Sequence, residues 1–364
     1  MIVFIVGTTA ELIKIAPVYH ELIFRGRSPE IWYTGQHVNE LRGILDDLAL
    51  PAPALWLVPQ EGAENLARTG QVPGWIFRLF RTLVTRRSEL RRRIRSDGGT
   101  PIVLVHGDTF TTLFGAIIGR ALGAKVGHIE AGLRSGHLMH PFPEEINRKL
   151  TASLAHLHFA PGDVEVKNLR GRDGVVATGG NTVIDSVRRA LEQGSHGLDI
   201  NLPDGYAIAT LHRFELVRDK QLYAAALAAL KDASARTPIV YFAGESEKAR
   251  LVEYDLLSMF DERFVIMDKL RYVHFLPVLS AARFVVTDSG GVQEECAHLG
   301  IPCAVHRVKT ERHQGLGKNV VLTEMDIDRL VSFLNDADSF RAQDLSDEAR
   351  PSAVVVDTIE RLGV

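Results

Sequence analysis

The chain has 364 residues, too many for one ordinary core, and predicts two domains. Its 46% hydrophobic and 24% charged residues are those of a globular protein with ample apolar mass for two buried sheets. A formal net charge of −3 argues against a dedicated nucleic-acid binder, which needs a basic surplus, and the apolar runs fall short of the roughly 18–20 residues that cross a bilayer.

In chain order, the opening MIVFIVGTT reads as a first strand; it has no basic leader and no long apolar region, so it predicts no signal peptide. β-branched runs at 2–6, 30–33, 102–106, 125–129 and 175–178 predict the strands of a first sheet. Runs at 206–210, 239–242, 264–267, 284–287 and 303–306 predict a second. Helical stretches between them make this an α/β chain of parallel βαβ units: two Rossmann-like, doubly wound domains facing a central cleft. The charged, glycine-containing stretch 185–203 marks the boundary. The expected division is an N-terminal domain over 1–190, a C-terminal domain over 191–345, and a final helix over 346–364 packing back on the first domain.

Residues 77–95 carry eight arginines. Phe80, Leu83, Leu90 and Ile94 recur there at helical intervals, predicting an apolar face with the arginines on a wet opposite face. Cys296 and Cys303 lack metal-ligand spacing or a CxxC partner and are expected to be reduced and buried, which suits the cytoplasm. His106, His128, His137, His140, His156 and His158 do not form a recognisable ligand set, so no metal is expected. His106 and His128, inside strand runs, read as core imidazoles.

Four places carry chemistry. The first strand ends in Gly7-Thr8-Thr9-Ala10-Glu11 and feeds a helix, a natural anion seat that Lys14, one turn in, could share. Asp108, Glu130 and Glu144 come from three segments, VHGD, GHIEAGLR and PEEINR, at or just beyond the ends of strand-like runs. An open α/β sheet presents its ligand site there, and a cleft can separate the pKa values of neighbouring carboxyls into acid and base. Two of these three acids could instead cap helices or pair with Arg134 and Arg148. His212 and Arg213 end the first strand of the second series and make a phosphate pair. Thr287-Asp288-Ser289-Gly290-Gly291 is a strand, glycine turn and helix start suited to a diphosphate, with Glu295 one turn on to accept from a ribose. Together they read as a sugar-nucleotide enzyme with acid/base chemistry.

The chain resembles the bacterial UDP-N-acetylglucosamine 2-epimerases of the non-hydrolysing, glycosyltransferase-B-like type. The likeness is carried to about Arg312 by GTTAELIKIAP, TGQH, VHGDTFTT, GHIEAGLRSG, PFPEEINR, TGGNTVIDS, LHRFE, LRYVHFL, TDSGGVQEE and KTER, ten blocks in family order. It implies interconversion of UDP-GlcNAc and UDP-ManNAc without NAD or another cofactor, by elimination of UDP to 2-acetamidoglucal and its re-addition. Asp108, Glu130 and Glu144 are then the acid/base candidates, with His212 beside the diphosphate. Ser289, Gly290, Gly291 and Arg312 would hold the diphosphate, Glu295 the ribose, and Leu270 and Phe275 would border the uracil. A homodimer, with no nucleic-acid or membrane partner, is also implied.

The chain departs from the family pattern at several positions. Thr9-Ala10 stands where the family has Arg-Pro, so Lys14 must act without that guanidinium. Gly244, in YFAGESE, falls at the histidine of a family PxHxNP element that helps a second UDP-GlcNAc bind as activator, and allosteric activation is expected to be weak or absent. Val38-Asn39 replaces a polar pair after TGQH, and His313-Gln314 follows Arg312 where Pro-Glu is usual. These departures leave open a hydrolysing 2-epimerase that releases UDP and a free ManNAc-type sugar. A glycosyltransferase using the same UDP cleft, or a UDP-sugar-binding protein of weak activity, would not explain the three acids.

Overall fold

The computed structural model describes residues 1–38, 41–59, 69–136, 143–193, 200–343 and 349–363. It contains two compact units, Met1–Ser186 with Ala349–Val364, and Val187–Glu348.

Unit 1 is built on a parallel sheet of β1 (Ile2–Val6), β2 (Glu30–Tyr33), β3 (Leu55–Trp56), β4 (Ile102–His106), β5 (Lys125–Ile129), β6 (Leu157–Ala160) and β7 (Val175–Ala177), in the order β3-β2-β1-β4-β5-β6-β7. Every residue of β1 and β4 is buried, the consequence of helices covering both faces, and it explains why these strands read as unbroken apolar runs. The strand order reverses at β1, which pairs with β2 on one side and β4 on the other. Their carboxyl ends diverge there, opening the crevice in which an α/β sheet binds ligands. The helix Phe110–Leu122 lies close over the sheet because it presents glycine to it. A Cβ on Gly115 would fall 2.7 Å from Val105 Cγ1, and one on Gly119 would fall 2.9 Å from Val126 Cγ2.

The helix Pro351–Arg361 packs on the helix Thr9–Phe24. Asp185 Oδ2 accepts from the Ser352 amide (2.8 Å), and Arg25 pairs with Asp357 and with Glu360 (3.0 Å).

Unit 2 repeats the plan with β8 (Ala207–Thr210), β9 (Ile239–Ala243), β10 (Phe264–Asp268), β11 (Val285–Thr287), β12 (Cys303–Val305) and β13 (Val320–Leu322), all parallel in the order β10-β9-β8-β11-β12-β13. The order reverses at β8, whose neighbours are β9 and β11. Cys296 and Cys303 are free and buried in this unit's core.

The ten expected strands are present, with ends shifted by a residue at most. β3, β6 and β13 were not expected. Two or three residues give β3 and β13 too little pattern, and β6 carries His158 within four residues. The arginine-rich segment corrects one expectation. It forms two helices, Val72–Thr85 and Arg87–Ile94, whose buried residues keep to one helical stripe that Phe80 misses. Leu83, Leu90 and Ile94 are buried, but Phe80 is 59% exposed, and Trp75 and Leu79 fill the core on that helix instead. Arg86 and Arg93 are paired with Glu89 and Glu30.

Candidate active site

Gly7 leaves β1 where only glycine fits, since a Cβ there would lie 2.1 Å from Thr34 Oγ1. Thr8 caps the next helix, and Glu11 folds back to complete a capping box. Glu11 Oε2 accepts from the Gly7 and Thr8 amides (2.7 and 3.0 Å), and its Oε1 accepts from Thr109 Oγ1 (2.5 Å) at the end of the neighbouring strand. Burial is the largest influence on this carboxyl and raises its pKa to about 7, against the lowering effect of the hydrogen bonds. The anion seat expected at this turn is therefore corrected, because the donors that would cradle a phosphate already serve Glu11.

Lys14, assigned from the sequence to the same phosphate, is buried and turned elsewhere. Its ammonium pairs with Glu130 Oε2, which also accepts from Asn181 Nδ2. His106 Nε2 stands 3.7 Å from the same oxygen. Glu130 directly follows β5, in the left-handed region at φ 65°, a conformation uncommon for a residue with a side chain and held here by its polar contacts. Its Oε1 would lie 3.8 Å from a Cβ on Gly107.

Asp108 and Glu130 leave the sheet at about one level because His106 and Ile129 are register partners on β4 and β5. Arg148 Nη2 donates to Asp108 Oδ2, and Asn147 Nδ2 to the Asp108 carbonyl (2.9 Å). Both donors belong to the helix Glu144–Leu154, which is thereby docked with its first residue, Glu144, at this end of the sheet. The ion pairs foreseen for Arg134 and Arg148 fall on Asp108 and on the neighbouring Glu145. Glu145 Oε2 is 3.3 Å from Arg148 Nη1 and accepts from the Ser135 amide (3.0 Å), while its Oε1 is 3.9 Å from Arg134 Nε. Asp108 and Glu130 thus stand just beyond the paired strands β4 and β5, with an arginine on one and a lysine on the other, and Glu144 begins the helix bonded to Asp108.

The histidines of this unit divide. His128 is a core imidazole, as expected; its Nε2 meets the Gly107 carbonyl at 2.7 Å, and burial pushes its pKa down to about 4. His106 was read the same way, but it faces Glu130 and belongs to the acid cluster. His137 and His140 lie outside the described residues, among which no group of three or more His, Cys, Asp or Glu is placed to hold a metal ion.

In unit 2, β8 is followed by Leu211-His212-Arg213. The fully buried Asp288, at the end of β11, accepts from the amides of His212 and Arg213 on Oδ2 (both 2.7 Å), and its Oδ1 is 3.0 Å from His212 Nδ1. Arg213 Nε donates to the Asp288 carbonyl (2.9 Å). Ser289 then caps the helix Gly290–Leu299. Its first residues are glycines, and Gly290 lies beside Arg312, with Arg312 Nε 3.6 Å from where a Cβ would stand. Arg312 Nη1 donates to the buried Glu294 (2.9 Å), which fixes the guanidinium next to that helix end. Glu295 is buried beside Tyr272, whose hydroxyl is pushed well above its ordinary pKa by burial and then by the Glu295 charge. Leu270 and Phe275 are partly buried against the core, and Phe275 packs edge-on against Phe242 with centroids 5.8 Å apart.

Glu11, His106, Asn181 and Asp288 are polar residues at these sites to which the sequence reading gave no individual site role. Asn181 and Asp288 sit inside blocks already singled out, TGGNTVIDS and TDSGG, and the position of Asp288 directly after a β-branched run was a signal for it.

The profile of the UDP-N-acetylglucosamine 2-epimerase family matches residues 76–352. A probable UDP-N-acetylglucosamine 2-epimerase of Ralstonia nicotianae is 34% identical over 92% of this chain and 91% of its own length. A UDP-N-acetylglucosamine 2-epimerase of Bacillus subtilis is 34% identical over 85% of this chain and 79% of its own. Among solved structures, the UDP-GlcNAc 2-epimerase of Neisseria meningitidis bound to UDP-GlcNAc is similar with a TM-score of 0.79 and 27% identity over 99% of both chains.

Proposed function

The chain belongs to the UDP-N-acetylglucosamine 2-epimerase family, and from that premise we propose that it interconverts UDP-GlcNAc and UDP-ManNAc by the non-hydrolysing route. The observation that carries this reading is that Asp108 and Glu130 follow the paired strands β4 and β5, with the helix that Glu144 begins bonded to Asp108. Two faces of a sugar carbon need a base on one side and an acid on the other, whereas simple transfer of a glycosyl group gives no reason for three acids.

A carboxylate of unit 1 takes the C2 proton, the C2–H electrons form the C1=C2 bond, and the C1–O bond breaks with its electrons on UDP. A second acid of the group returns a proton to the opposite face of C2, and UDP adds back at C1. Unit 2 supplies the other requirement, stabilisation of the leaving diphosphate. Ser289, Gly290 and Gly291 offer the start of a helix, Arg213 and Arg312 offer guanidinium groups, and His212 offers a proton. Glu295 takes the ribose, and Leu270 and Phe275 the uracil. Lys14 acts through Glu130, holding the carboxylate and keeping a cation near the sugar. A homodimer in the cytoplasm completes the proposal, and among the described residues no helix is long and apolar enough to cross a membrane.

Proton NMR of the protein with UDP-GlcNAc in D2O tests the reading. Growth of UDP-ManNAc deuterated at C2, with little free UDP, is the expected result. Accumulation of UDP with free ManNAc would assign the hydrolysing reaction, which the loss of the family arginine at Thr9 would favour by loosening UDP. No exchange at C2 would point to another UDP-sugar or to a transferase.

Activation by substrate is expected to be absent. Gly244 caps the helix Glu245–Glu253; its amide donates to Glu247 (2.9 Å), which Lys269 holds from the other side (3.0 Å). A Cβ at 244 would fall 2.8 Å from Glu247 Oε2 and 3.2 Å from Lys269 Nζ, so this chain fills the histidine's place with an internal ion pair. Conversion of UDP-ManNAc should therefore start without a lag and stay hyperbolic, and trace UDP-GlcNAc should not accelerate it. A lag abolished by UDP-GlcNAc would contradict this.

A further inference from the structure

In the turn that follows β8, one buried acid binds two amides on one oxygen and faces an imidazole with the other, which has no hydrogen-bond donor among the described residues. Asp288 has no exposed surface, its Oδ2 binds the two amides of His212 and Arg213, and its Oδ1 lies 3.0 Å from His212 Nδ1. The imidazole itself is 38% exposed, so its Nδ1 edge lies against this buried oxygen while the ring remains partly open. We propose that Asp288 is a positioning residue that sets the tautomer of His212, holding the proton on Nδ1 and presenting Nε2 to the leaving diphosphate oxygen.

The argument is one of donors and acceptors. A carboxylate can only accept, so the ring nitrogen facing it must carry hydrogen. Neutral His212 then has its lone pair on Nε2, and the imidazolium carries a second hydrogen there with the Asp288 charge beside it. When the C1–O bond breaks, the Nε2 hydrogen passes to the diphosphate oxygen as it gains charge. When UDP adds back, Nε2 recovers that proton, so the ring ends in the state in which it began. A neutral imidazole with the opposite tautomer would have to become an imidazolate to give up its Nε2 hydrogen, whereas the ring with hydrogen held on Nδ1 passes only between imidazolium and neutral imidazole.

The surroundings keep the turn in place independently of the ring. Tyr241 donates its hydroxyl hydrogen to the Leu211 carbonyl (2.8 Å) and shares a second hydrogen bond with Tyr223 (2.7 Å). Thr210 and Thr287 bond across the two strands at 2.7 Å. Asp288→Asn therefore leaves the turn an acceptor for both amides, while its NH2 group now faces Nδ1 and forces the ring hydrogen to Nε2.

The inference rests on the epimerase reading for its rate effect but not for its structural effect, and the test uses both. Nitrogen NMR of the ligand-free full-length chain should place the neutral His212 hydrogen on Nδ1 in the wild type and on Nε2 in Asp288→Asn. In the epimerase assay kcat should fall by about 10²–10³-fold with KM changed less than about threefold, smaller than the roughly 10⁴ that the same exchange costs a Ser-His-Asp triad because proton transfer here assists a good leaving group. Once His212→Asn is in place, adding Asp288→Asn should lower kcat no further, as expected when one residue acts through another. The proposal is overturned if the tautomer is the same in both proteins, or if the wild type epimerises and the Asp288→Asn variant matches its kcat. A wild type that shows the Nδ1 tautomer but no turnover of UDP-GlcNAc would instead overturn the reaction assigned above and leave the role of Asp288 standing.

Discussion

Glu130→Gln is expected to lower kcat for epimerisation by about 10³-fold, within the range that general base catalysis contributes and equivalent to roughly 4 kcal/mol of barrier. The substitution is chosen because it keeps the shape of the site. A glutamine oxygen can still accept from Lys14 and Asn181, as Glu130 Oε2 does, while its NH2 replaces Oε1 beside Gly107. The buried Lys14 ammonium loses its counter-charge, so stability is measured alongside rate, and the loss should appear both in turnover and in exchange of the C2 proton with D2O. Exchange that survives at the wild-type rate would show that Glu130 only anchors Lys14 and would move the base to Asp108 or Glu144. Parallel Asp108→Asn and Glu144→Gln variants separate those roles. Asp108→Asn likewise keeps an acceptor for Arg148 while removing the charge that pairs with it, so the stability of both variants is measured alongside their rates.

The position of the acids could be read from sequence because strand ends could. Runs such as IVLVH and KVGHI are buried on both faces, so they are apolar throughout and stop where the chain meets the ligand-bearing edge. Asp108 and Glu130 were found just past such runs for that reason, whereas His106, the last residue of its run, was read as a core imidazole. Their partners were not legible. Lys14 and Glu130 are 116 residues apart, and His212 is 76 from Asp288, separations that only the order of strands in each sheet brings together. Local pattern also misled where two solutions were equivalent. Lys14 fits a phosphate as well as a carboxylate, and Glu144 and Glu145 stand four and three residues before Arg148, both compatible with a helical pair. Helix docking decided that Glu145 takes the arginine. The turn after β1 failed for a different reason: its amides were read as open to a ligand when a glutamate four residues on could reach back and occupy them.

That glutamate leads to the second large expectation, on stability. Glu11→Gln should make unit 1 more stable than wild type at pH 8 by about 3 kcal/mol, with the advantage vanishing near pH 4.5. Burial raises the Glu11 pKa from 4.5 to about 7, so between those values the folded chain keeps a proton that the unfolded chain has lost. Unfolding then releases a proton, and wild-type stability falls as pH rises through this window before levelling off above pH 7. Glutamine mimics the protonated acid at every pH. Its oxygen accepts from the Gly7 and Thr8 amides, and its NH2 can donate to Thr109 Oγ1 in place of the carboxyl hydrogen. The three tryptophans, Trp32, Trp56 and Trp75, all belong to unit 1, so their fluorescence in urea reports this unit alone. Midpoints measured from pH 5 to pH 8 should decline in the wild type and decline less in the variant. Parallel curves for the two proteins would mean that the four hydrogen bonds on Glu11 outweigh its burial, and that the carboxylate is ionised throughout, as a fixed negative charge between β1 and β4.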